Sequence, residues 1–370
     1  MIPASAIEGL LSVLDNINSY RGDGTLTHAT YSSTSMWRST VAVLTTDGCL
    51  CKSAITSAVI HIGRIITALL LISFPATVMA AEYQQIHAWG SFGTGAGEFN
   101  EPTGVAVSES EVFVSDARNG RIQVFNHQGA FLREFGNSGE KQARLGRPMN
   151  LELHDGRLYV ADYWHERIQV YSQKGEYLRT IQTSDEDMLL NGPGGVAFSK
   201  QGNLFVADFY NHRIAELTPE GALISQIGTP GESGFWGGEF SYPTDVATGE
   251  DGTLYVADGY NDRIQQFSAQ GVLIRKWGGP FAMNIHGSLD GWFSVVTSIA
   301  VGPEGDVFVA DFYNNRVQKF TPDGKFITSF TLPAEEPSHS AIALDVDASG
   351  TLFVANFAAN QVTVWREKSD

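Results

Sequence analysis

"VADFYNNRVQKF", residues 309–320, decides the fold, because the chain contains this stretch in six versions. The other five are "VSDARNGRIQVF" at 114–125, "VADYWHERIQVY" at 160–171, "VADFYNHRIAEL" at 206–217, "VADGYNDRIQQF" at 256–267 and "VANFAANQVTVW" at 354–365. The third residue of each version is an Asp or Asn, and successive copies lie 46, 46, 50, 53 and 45 residues apart. A period of this length indicates one supersecondary unit that is repeated along the chain.

Each unit contains four short segments in which apolar and polar residues alternate. In the first unit these are "GVAVS" (104–108), "EVFVSD" (111–116), "RIQVF" (121–125) and "FLREFG" (131–136), joined by turn residues. This pattern predicts a small antiparallel sheet. Sheets of this size stack radially around a channel that their innermost strands line. The sequence therefore predicts an all-β, six-bladed β-propeller with four antiparallel strands in each blade.

The two ends of the repeat region predict how the ring closes. The sixth unit stops after its third strand, at "QVTVWREKSD". The stretch "QIHAWG" (85–90) aligns with the fourth strand of the first unit, so that Ile86 matches Leu132 and Trp89 matches Phe135. We therefore expect the N-terminal strand to complete the last blade, which removes an open sheet edge.

The repeated motif V-A-D-x-x-N-x-R-I-Q-x-F, preceded by P-x-G-V-A-V, resembles the NHL repeat family over residues 83–367. The resemblance implies a six-bladed propeller that most often serves as a binding platform. Some relatives are enzymes, namely peptidyl-hydroxyglycine amidating lyases and, more distantly, lactonases and streptogramin lyases. The resemblance alone leaves both possibilities open.

Residues 59–81 have the order of a secretory signal peptide. Arg64 precedes an apolar run over 65–74, and small residues follow up to Ala80 and Ala81. A membrane anchor needs about 20 apolar residues, and this run is roughly half as long. We therefore predict an extracytoplasmic protein, periplasmic or secreted, that is cleaved near Ala80 or Ala81.

The signal peptide divides the chain into three parts. Residues 1–58 are interpreted as an upstream extension without a structural role, and they contain both cysteines, Cys49 and Cys51. Residues 82–370 form the propeller, which has no cysteine and no stretch long enough for a stable membrane span. No coiled-coil pattern is present, so a monomer is expected.

Charge excludes one class of partner. The formal net charge is −17, and residues 1–81 have as many basic as acidic side chains, so the whole excess lies on the propeller. Such a surface repels phosphate backbones, and we therefore expect no nucleic-acid partner.

In five units the repeated Asp is followed five positions later by an Arg, and in the sixth both change together, to Asn356 and Gln361. Loss of both charges at once is expected for side chains in direct contact, because an ion left without its buried partner is costly. These residues are interpreted as structural salt bridges that hold loops, and Asp208→Ala should lower the melting temperature far more than it changes binding. The five pairs are Asp116–Arg121, Asp162–Arg167, Asp208–Arg213, Asp258–Arg263 and Asp311–Arg316.

The loop after the repeated Asp and the loop before each first strand should open on the same face of the ring. That face collects aromatic residues, and the longer steps of 50 and 53 show insertions in its fourth and fifth units. Exposed aromatic rings on a rigid scaffold suit sugars, peptides or flat apolar ligands, although each ring can also simply pack against a neighbouring blade. The candidate ligand-binding residues are Trp164, Tyr210, Phe235, Trp236, Asp245, Tyr260, His286, Trp292 and Tyr313.

Enzymatic chemistry has weaker support in the sequence. The amidating lyases that the chain resembles place zinc-binding histidines beside the Pro that starts each inner strand, and no His stands at the matching positions. Those positions are Thr103, Met149, Gly194, Thr244, Thr297 and Ile342. Four other histidines map to the loop face: His165, His212, His286 and His339. Asp245, expected near the channel mouth, has no accompanying nucleophile, base and acid, so no catalytic residue and no metal ligand is assigned.

The sequence therefore favours a non-catalytic binding platform for a peptide, glycan or protein partner, with no cofactor. The alternative is a metal-dependent lyase or hydrolase with its site at the channel mouth, similar to propeller amidating lyases or lactonases. That alternative would place a zinc or calcium ion in the channel.

Overall fold

The computed structural model describes residues 82–183, 189–333 and 339–368. The predicted upstream extension, the predicted signal peptide with its cleavage site, and both cysteines lie outside these residues. Within them, no helix is long and apolar enough to cross a membrane.

The described residues form six four-stranded antiparallel sheets, which confirms the predicted architecture. Blade 1 contains β2 (Pro102–Val107), β3 (Glu111–Asp116), β4 (Arg121–Asn126) and β5 (Phe131–Phe135); blade 2 contains β6 (Pro148–His154), β7 (Arg157–Asp162), β8 (Arg167–Ser172) and β9 (Tyr177–Ile181); blade 3 contains β10 (Pro193–Phe198), β11 (Leu204–Asp208), β12 (Arg213–Leu217) and β13 (Leu223–Ile227). Blade 4 contains β14 (Pro243–Thr248), β15 (Leu254–Asp258), β16 (Arg263–Phe267) and β17 (Leu273–Trp277); blade 5 contains β18 (Val296–Val301), β19 (Val307–Asp311), β20 (Arg316–Phe320) and β21 (Phe326–Thr331); blade 6 contains β22 (Ala341–Val346), β23 (Leu352–Asn356), β24 (Gln361–Glu367) and β1 (Tyr83–Trp89).

Within each blade the two middle strands are largely buried and the outer strand is the most exposed. In blade 4 every residue of β15 is buried, whereas the first three residues of the outer strand β17 are exposed. The second strand is apolar without interruption because both of its faces pack against neighbouring blades. Large rings fill the gaps between blades, as Phe240 and Phe267 do between blades 3 and 4. The core is therefore a series of layers between blades.

The ring closes as predicted. Strand β1 pairs with β24, so that Gln85 lies opposite Trp365 and Trp89 lies opposite Val362. Tyr83, at the start of β1, is buried and stacks on Phe330 of blade 5 with ring centroids 5.0 Å apart. The first described strand thus contacts blade 5 as well as blade 6.

Two sets of loops share one face of the ring, which we call the loop face. One set joins the second and third strands of each blade, and in blades 1 to 4 it contains short 3₁₀ turns at Ala117–Asn119, Tyr163–His165, Phe209–Asn211 and Gly259–Asn261. The other set joins each outer strand to the next inner strand. We call the opposite face the turn face, because tight turns predominate there.

All five Asp–Arg pairs of the sequence are in contact. The distance from Arg Nε to Asp Oδ2 is 2.7 Å in blades 1, 3 and 4, 2.8 Å in blade 5 and 3.2 Å in blade 2. In each pair the other Asp oxygen accepts the N–H of a residue shortly before the inner strand, such as Ser241 at 2.8 Å from Asp258. Each pair therefore holds the loop that leads into the channel.

Candidate functional site

The channel opens on the loop face into a cavity of about 260 Å³, which we call the mouth. Its lining includes the six residues that follow the first residue of each inner strand, called here the mouth ring: Thr103, Met149, Gly194, Thr244, Thr297 and Ile342. Arg147, Asn150, Tyr163 and Phe209 complete the lining. The six positions that the repeats align in the sequence therefore form one layer in space.

The threonines of the mouth ring have a structural role. Thr103 Oγ1 donates to Pro148 O at 2.8 Å, and Thr297 Oγ1 donates to Ala341 O at 3.1 Å. Each acceptor belongs to the first residue of the next blade's inner strand. Because these hydroxyl protons are already donated, the hydroxyls can offer a ligand only their lone pairs.

One side of the mouth carries positive charge. Arg147 and Arg118 both contact the carboxylate of Glu101, at 2.8 and 2.5 Å. Two cations sharing one anion leave a local net charge of about +1, on a chain that is strongly acidic overall. The guanidinium of Arg147 also lies 5.6 Å from the ring centroid of Trp164, which orients it over that ring.

Further aromatic side chains lie on the loop face outside the residues that line the mouth. The second residue of the loop after each repeated Asp is aromatic and about half exposed in four consecutive blades, and we call these four residues the aromatic rim. Its members are Trp164, Tyr210, Tyr260 and Tyr313, with exposed fractions of 60, 46, 50 and 50%.

Two half-buried tyrosines and the exposed His339 pack against members of the rim. Tyr242 lies between Tyr210 and Tyr260, with ring centroids 6.1 and 5.1 Å apart. Tyr163 contacts Tyr210 at 5.8 Å, and His339 contacts Tyr313 at 4.3 Å. A ring that already packs on one face loses little entropy when a ligand covers the other.

Phe235 and Trp236 lie together in the insertion of blade 4, with centroids 4.9 Å apart and exposed fractions of 43 and 59%. The fully buried Arg263 holds this loop by donating to the carbonyls of Phe235, Trp236 (2.9 Å) and Glu239 (2.9 Å). It also donates to Ala282 O at 3.1 Å, so one side chain holds both insertions. The backbone of the aromatic pair is therefore fixed while its rings remain accessible.

The remaining insertion residues are placed differently from one another. His286 is exposed and lies near Asp262, whose Oδ1 accepts the N–H of Val295 at 2.7 Å. Trp292 is half-buried, and its carbonyl oxygen accepts a hydrogen bond from Arg316 at 2.9 Å. Neither residue lines the mouth.

Asp245 lies one layer below the mouth ring, where it lines a deeper cavity. Its Oδ2 accepts hydrogen bonds from Ser298 Oγ at 2.9 Å and Ile299 N at 3.0 Å, which ties blade 4 to blade 5. A Cβ on Gly195 would lie 1.9 Å from Asp245 Oδ1, so only glycine permits this close approach. Asn150 separates the two layers, since it lines both the mouth and the deeper cavity.

The deeper cavity, of about 150 Å³, is lined by three carboxyl groups: Asp245, Glu152 and Asp345. They come from blades 4, 2 and 6, and among the residues that the structure describes no Lys, Arg or His lines this cavity. Burial raises the pKa of Asp245 to about 7 and that of Asp345 to about 6. Burial, and then repulsion from Asp345 and Asp245, raises the pKa of Glu152 well above its usual range.

Because these three carboxyl groups have raised pKa values, we expect the free energy of unfolding to fall as pH rises. Their pKa values are higher in the folded chain than in the unfolded one, so between about pH 4 and pH 7 the folded state binds more protons. Between pH 5 and pH 7.5 the unfolding free energy of the Asp245→Asn variant should therefore decline less steeply than that of the unsubstituted chain. The difference between the two slopes should be up to about 1.4 kcal/mol per pH unit. Urea denaturation at several pH values measures this difference.

Asp323→Asn is the matched control. Asp323 is an exposed acid on the turn face, and its pKa is lowered to about 2 by the hydrogen bond from Lys325. Its titration is complete below the chosen window, so its removal should leave the slope unchanged. Equal slopes for Asp245→Asn and the unsubstituted chain would contradict the assignment of a raised pKa to Asp245.

The four histidines of the loop face do not converge on one point. His165 Nδ1 lies 2.7 Å from Asp162, where sister blades use Asn, and His212 Nδ1 accepts the N–H of Tyr242 at 3.1 Å. Among the described residues, no three His, Cys, Asp or Glu side chains are placed to bind one metal ion. The mouth ring, which has no His, does not fit the zinc site of the amidating lyases.

Several residues of the site were not found from the sequence. Glu152 and Asp345 occupy the fifth position of their inner strands, where the other four blades have Ala. A carboxylate in a position otherwise filled by Ala was the available signal. Tyr242 and Arg147 immediately precede the Pro of an inner strand, a position without a common residue type, so the repeats alone gave no indication of them.

The chain is similar in sequence to known proteins. The sequence profile of the NHL repeat family matches residues 99–125, 190–217, 240–267 and 293–320. Protein brain tumor of Drosophila melanogaster is 40% identical over 57 residues, which is 15% of this chain and 6% of that protein.

Two solved propellers show the same fold. A streptogramin B lyase superposes with a TM-score of 0.53 at 15% identity, over 78% of this chain and 98% of its own. The WD40 β-propeller domain of Doa1 superposes with a TM-score of 0.55 at 14% identity, over the same shares of the two chains. At such identities the likeness concerns the fold alone, and one of these folds belongs to an enzyme while the other is a WD40 domain.

Proposed function

We propose that this chain, which belongs to the NHL repeat family, is a non-catalytic extracytoplasmic platform whose loop face binds a peptide, glycan or protein partner. The observation that carries the proposal is the aromatic rim, which presents one half-exposed ring at the same loop position in four consecutive blades. Trp and Tyr are the residues that most often dominate binding energy at protein surfaces. Tyr210 and Tyr260 both contact Tyr242, so a ligand that spans these two blades meets more than one ring.

The way the rim is held supports binding more than packing. Trp164, Tyr210, Tyr260 and Tyr313 each lie between the Asp and the Arg of one contacting pair, so the pair fixes both ends of the loop that carries the ring. Rings on a rigid backbone bind with a small entropic cost, because little ordering is required. The hydroxyl groups of the tyrosines add hydrogen-bonding capacity to an otherwise apolar surface, as sugars and peptide backbones require.

Binding to glycan and peptide arrays, followed by calorimetry on the best ligand, tests this proposal. Combined Tyr210→Ala and Tyr260→Ala substitutions should weaken binding by about 30-fold or more, because truncating a central aromatic contact costs about 2 kcal/mol. Tyr177→Ala is the matched control, since Tyr177 is a partly exposed tyrosine on the outer strand β9, away from the rim. An equal loss in the control and the double variant would refute a role for the rim.

A lyase or hydrolase with its site at the mouth is the second candidate. It is favoured by one observation, the buried Asp245 with its pKa of about 7 directly below the mouth, a value suited to proton transfer at neutral pH. Stoichiometric zinc or calcium retained by the purified protein after dialysis would favour this candidate over the platform.

The extracytoplasmic location rests on the sequence of residues 59–81. N-terminal sequencing of the mature protein tests it, and a new N-terminus at Ala81 or Glu82 is the expected result. A mature protein that retains residues 59–81 would place the chain elsewhere.

A further inference from the structure

A further cavity lies on the turn face, where the last blade meets the first. It has a volume of about 380 Å³, and we call it the seam pocket. It is lined by Ile86 and His87 of β1, by His127 and Gln128 of blade 1, and by Asp347, Thr351, Phe353, Val364 and Arg366 of blade 6. Only closure of the ring brings these three parts of the chain together.

Comparison of the blade junctions explains why space remains at this one. The third residue of the outer strand is Arg in three blades, and its guanidinium crosses to a carbonyl of the next blade. Arg179 donates to Pro219 O at 2.5 Å, and Arg275 donates to Asp323 O at 2.9 Å. In the longer strand β1 the equivalent residue by strand pairing is His87, which lies opposite Val364 as Arg133 lies opposite Val124, and it contacts Gln128 O at 2.8 Å. The shorter imidazole makes the same contact and leaves room beside it.

The polar atoms around the pocket are unequally satisfied. Arg366 reaches only Thr351 Oγ1, at 3.3 Å from Nε and 3.1 Å from Nη2, and no carboxylate of the described residues lies within 4 Å of it. Asp347, by contrast, already accepts three hydrogen bonds at Oδ1, from Thr351 N and from both the N–H and hydroxyl of Ser349. The pocket therefore has a cation without a counter-ion beside an anion that is well satisfied.

The two histidines add donors of the same kind. His127 Nε2 lies 2.9 Å from Ser108 O and His87 Nε2 lies 2.8 Å from Gln128 O, so each ring donates through Nε2. In both rings Nδ1 becomes a second donor when the imidazole is protonated. His127 Nδ1 is 3.8 Å from Asp347 Oδ2, which pairs with it in that state. On the opposite wall Ile86 is exposed, and the almost fully buried Phe353 and Val364 lie behind it.

We propose that the seam pocket binds a small organic monocarboxylate, with its carboxylate on Arg366 and its apolar body against the exposed side chain of Ile86. The guanidinium of Arg366 can pair with one negative charge of a ligand. Asp347 on the adjoining turn would repel a second negative charge on the same ligand. Since the rest of the chain is strongly acidic, an anion gains nothing from non-specific contacts elsewhere. This site lies on the face opposite the aromatic rim, and it does not depend on the function proposed there.

Binding at this place has a mechanical consequence. A ligand that contacts β1, blade 1 and blade 6 binds only the closed ring, so it stabilises that ring by mass action. The melting temperature should rise with ligand concentration, and the effect should saturate as the pocket fills.

The full chain titrated with benzoate tests the proposal, with benzamide as the neutral analogue of the same shape. Calorimetry should detect saturable binding of benzoate and at least about tenfold weaker binding of benzamide, because the bond to Arg366 is charge-assisted. Arg366→Met should weaken benzoate binding at least about tenfold. Arg157→Met, which removes an exposed arginine at the turn-face end of β7, should leave it unchanged.

His87→Gln provides a second, independent variant. The introduced glutamine amide can still donate to Gln128 O, but the substitution removes the second ring nitrogen of the histidine. It should bind benzoate more weakly than the unsubstituted chain and keep its melting temperature without ligand. Equal affinity for benzoate and benzamide, or an equal loss in Arg366→Met and Arg157→Met, would overturn the proposal. So would the absence of saturable benzoate binding.

Discussion

Asp208→Ala is expected to lower the free energy of unfolding by about 3–5 kcal/mol, because it leaves Arg213 without its buried partner. The carboxylate of Asp208 is fully buried and lies 2.7 Å from Arg213 Nε. It also accepts hydrogen bonds from Asn191 N at 2.7 Å and from Asn211 Nδ2 at 2.8 Å. Urea denaturation measures the loss, which should greatly exceed any change in affinity for a ligand of the loop face.

The chain contains its own control for this substitution. Blade 6 has Asn356 and Gln361 at the same two positions, and Asn356 Nδ2 donates to Pro333 O at 3.2 Å without any charge. The double variant Asp208→Asn, Arg213→Gln copies that arrangement and should lose clearly less stability than Asp208→Ala. If the double variant were the less stable of the two, the contact between the charges would not explain their paired loss in blade 6.

Removal of residues 82–90 should abolish cooperative unfolding of the propeller. The deletion takes away β1, exposes the edge of β24 and uncovers the faces of Phe330 and Trp365. Loss of a buried aromatic side chain alone costs about 3–5 kcal/mol, and whole domains are stable by about 5–15 kcal/mol. Thermal unfolding followed by circular dichroism should therefore show no sharp transition.

A peptide of residues 82–90, added in trans, is the informative control. Because it can pair with the open edge of β24, it should restore part of the cooperative transition in a concentration-dependent manner. A scrambled peptide of the same composition should have no effect. A sharp transition in the shortened chain without any peptide would show that closure by β1 contributes little.

The fold was predictable from local patterns that recur. Each "VAD" segment carries the apolar run of a second strand, and each Pro before an inner strand indicates its start. Because six copies align with one another, a wrongly placed strand in one copy does not change the predicted number of blades or strands. The pairing of residues 85–90 with β24 was predictable for the same reason, because that stretch fits the one fourth strand that the sixth unit lacks.

The candidate site was predictable in its positions but not in its chemistry. The repeats placed the six residues of the mouth ring in one layer and the aromatic rim in another. They did not reveal that Arg118 and Arg147 share Glu101, or that Asp245 lies below the mouth with its charge held by Ser298 and Ile299. The contact of Arg147 with Glu101 and those of Asp245 with Ser298 and Ile299 join different blades, so no single repeat contains them.

The sequence by itself determined the number of blades, the strands of each blade, the closing strand and the Asp–Arg pairs, because these follow from short-range patterns and from comparison among copies. Tertiary structure alone decided which side chains of different blades meet, how deeply each is buried, and therefore which acids hold raised pKa values. The seam pocket is the clearest case, since Ile86 and Arg366 are 280 positions apart in the chain and face one cavity only after the ring has closed. Burial and electrostatic potential depend on all neighbours in space at once, and a linear pattern does not encode them.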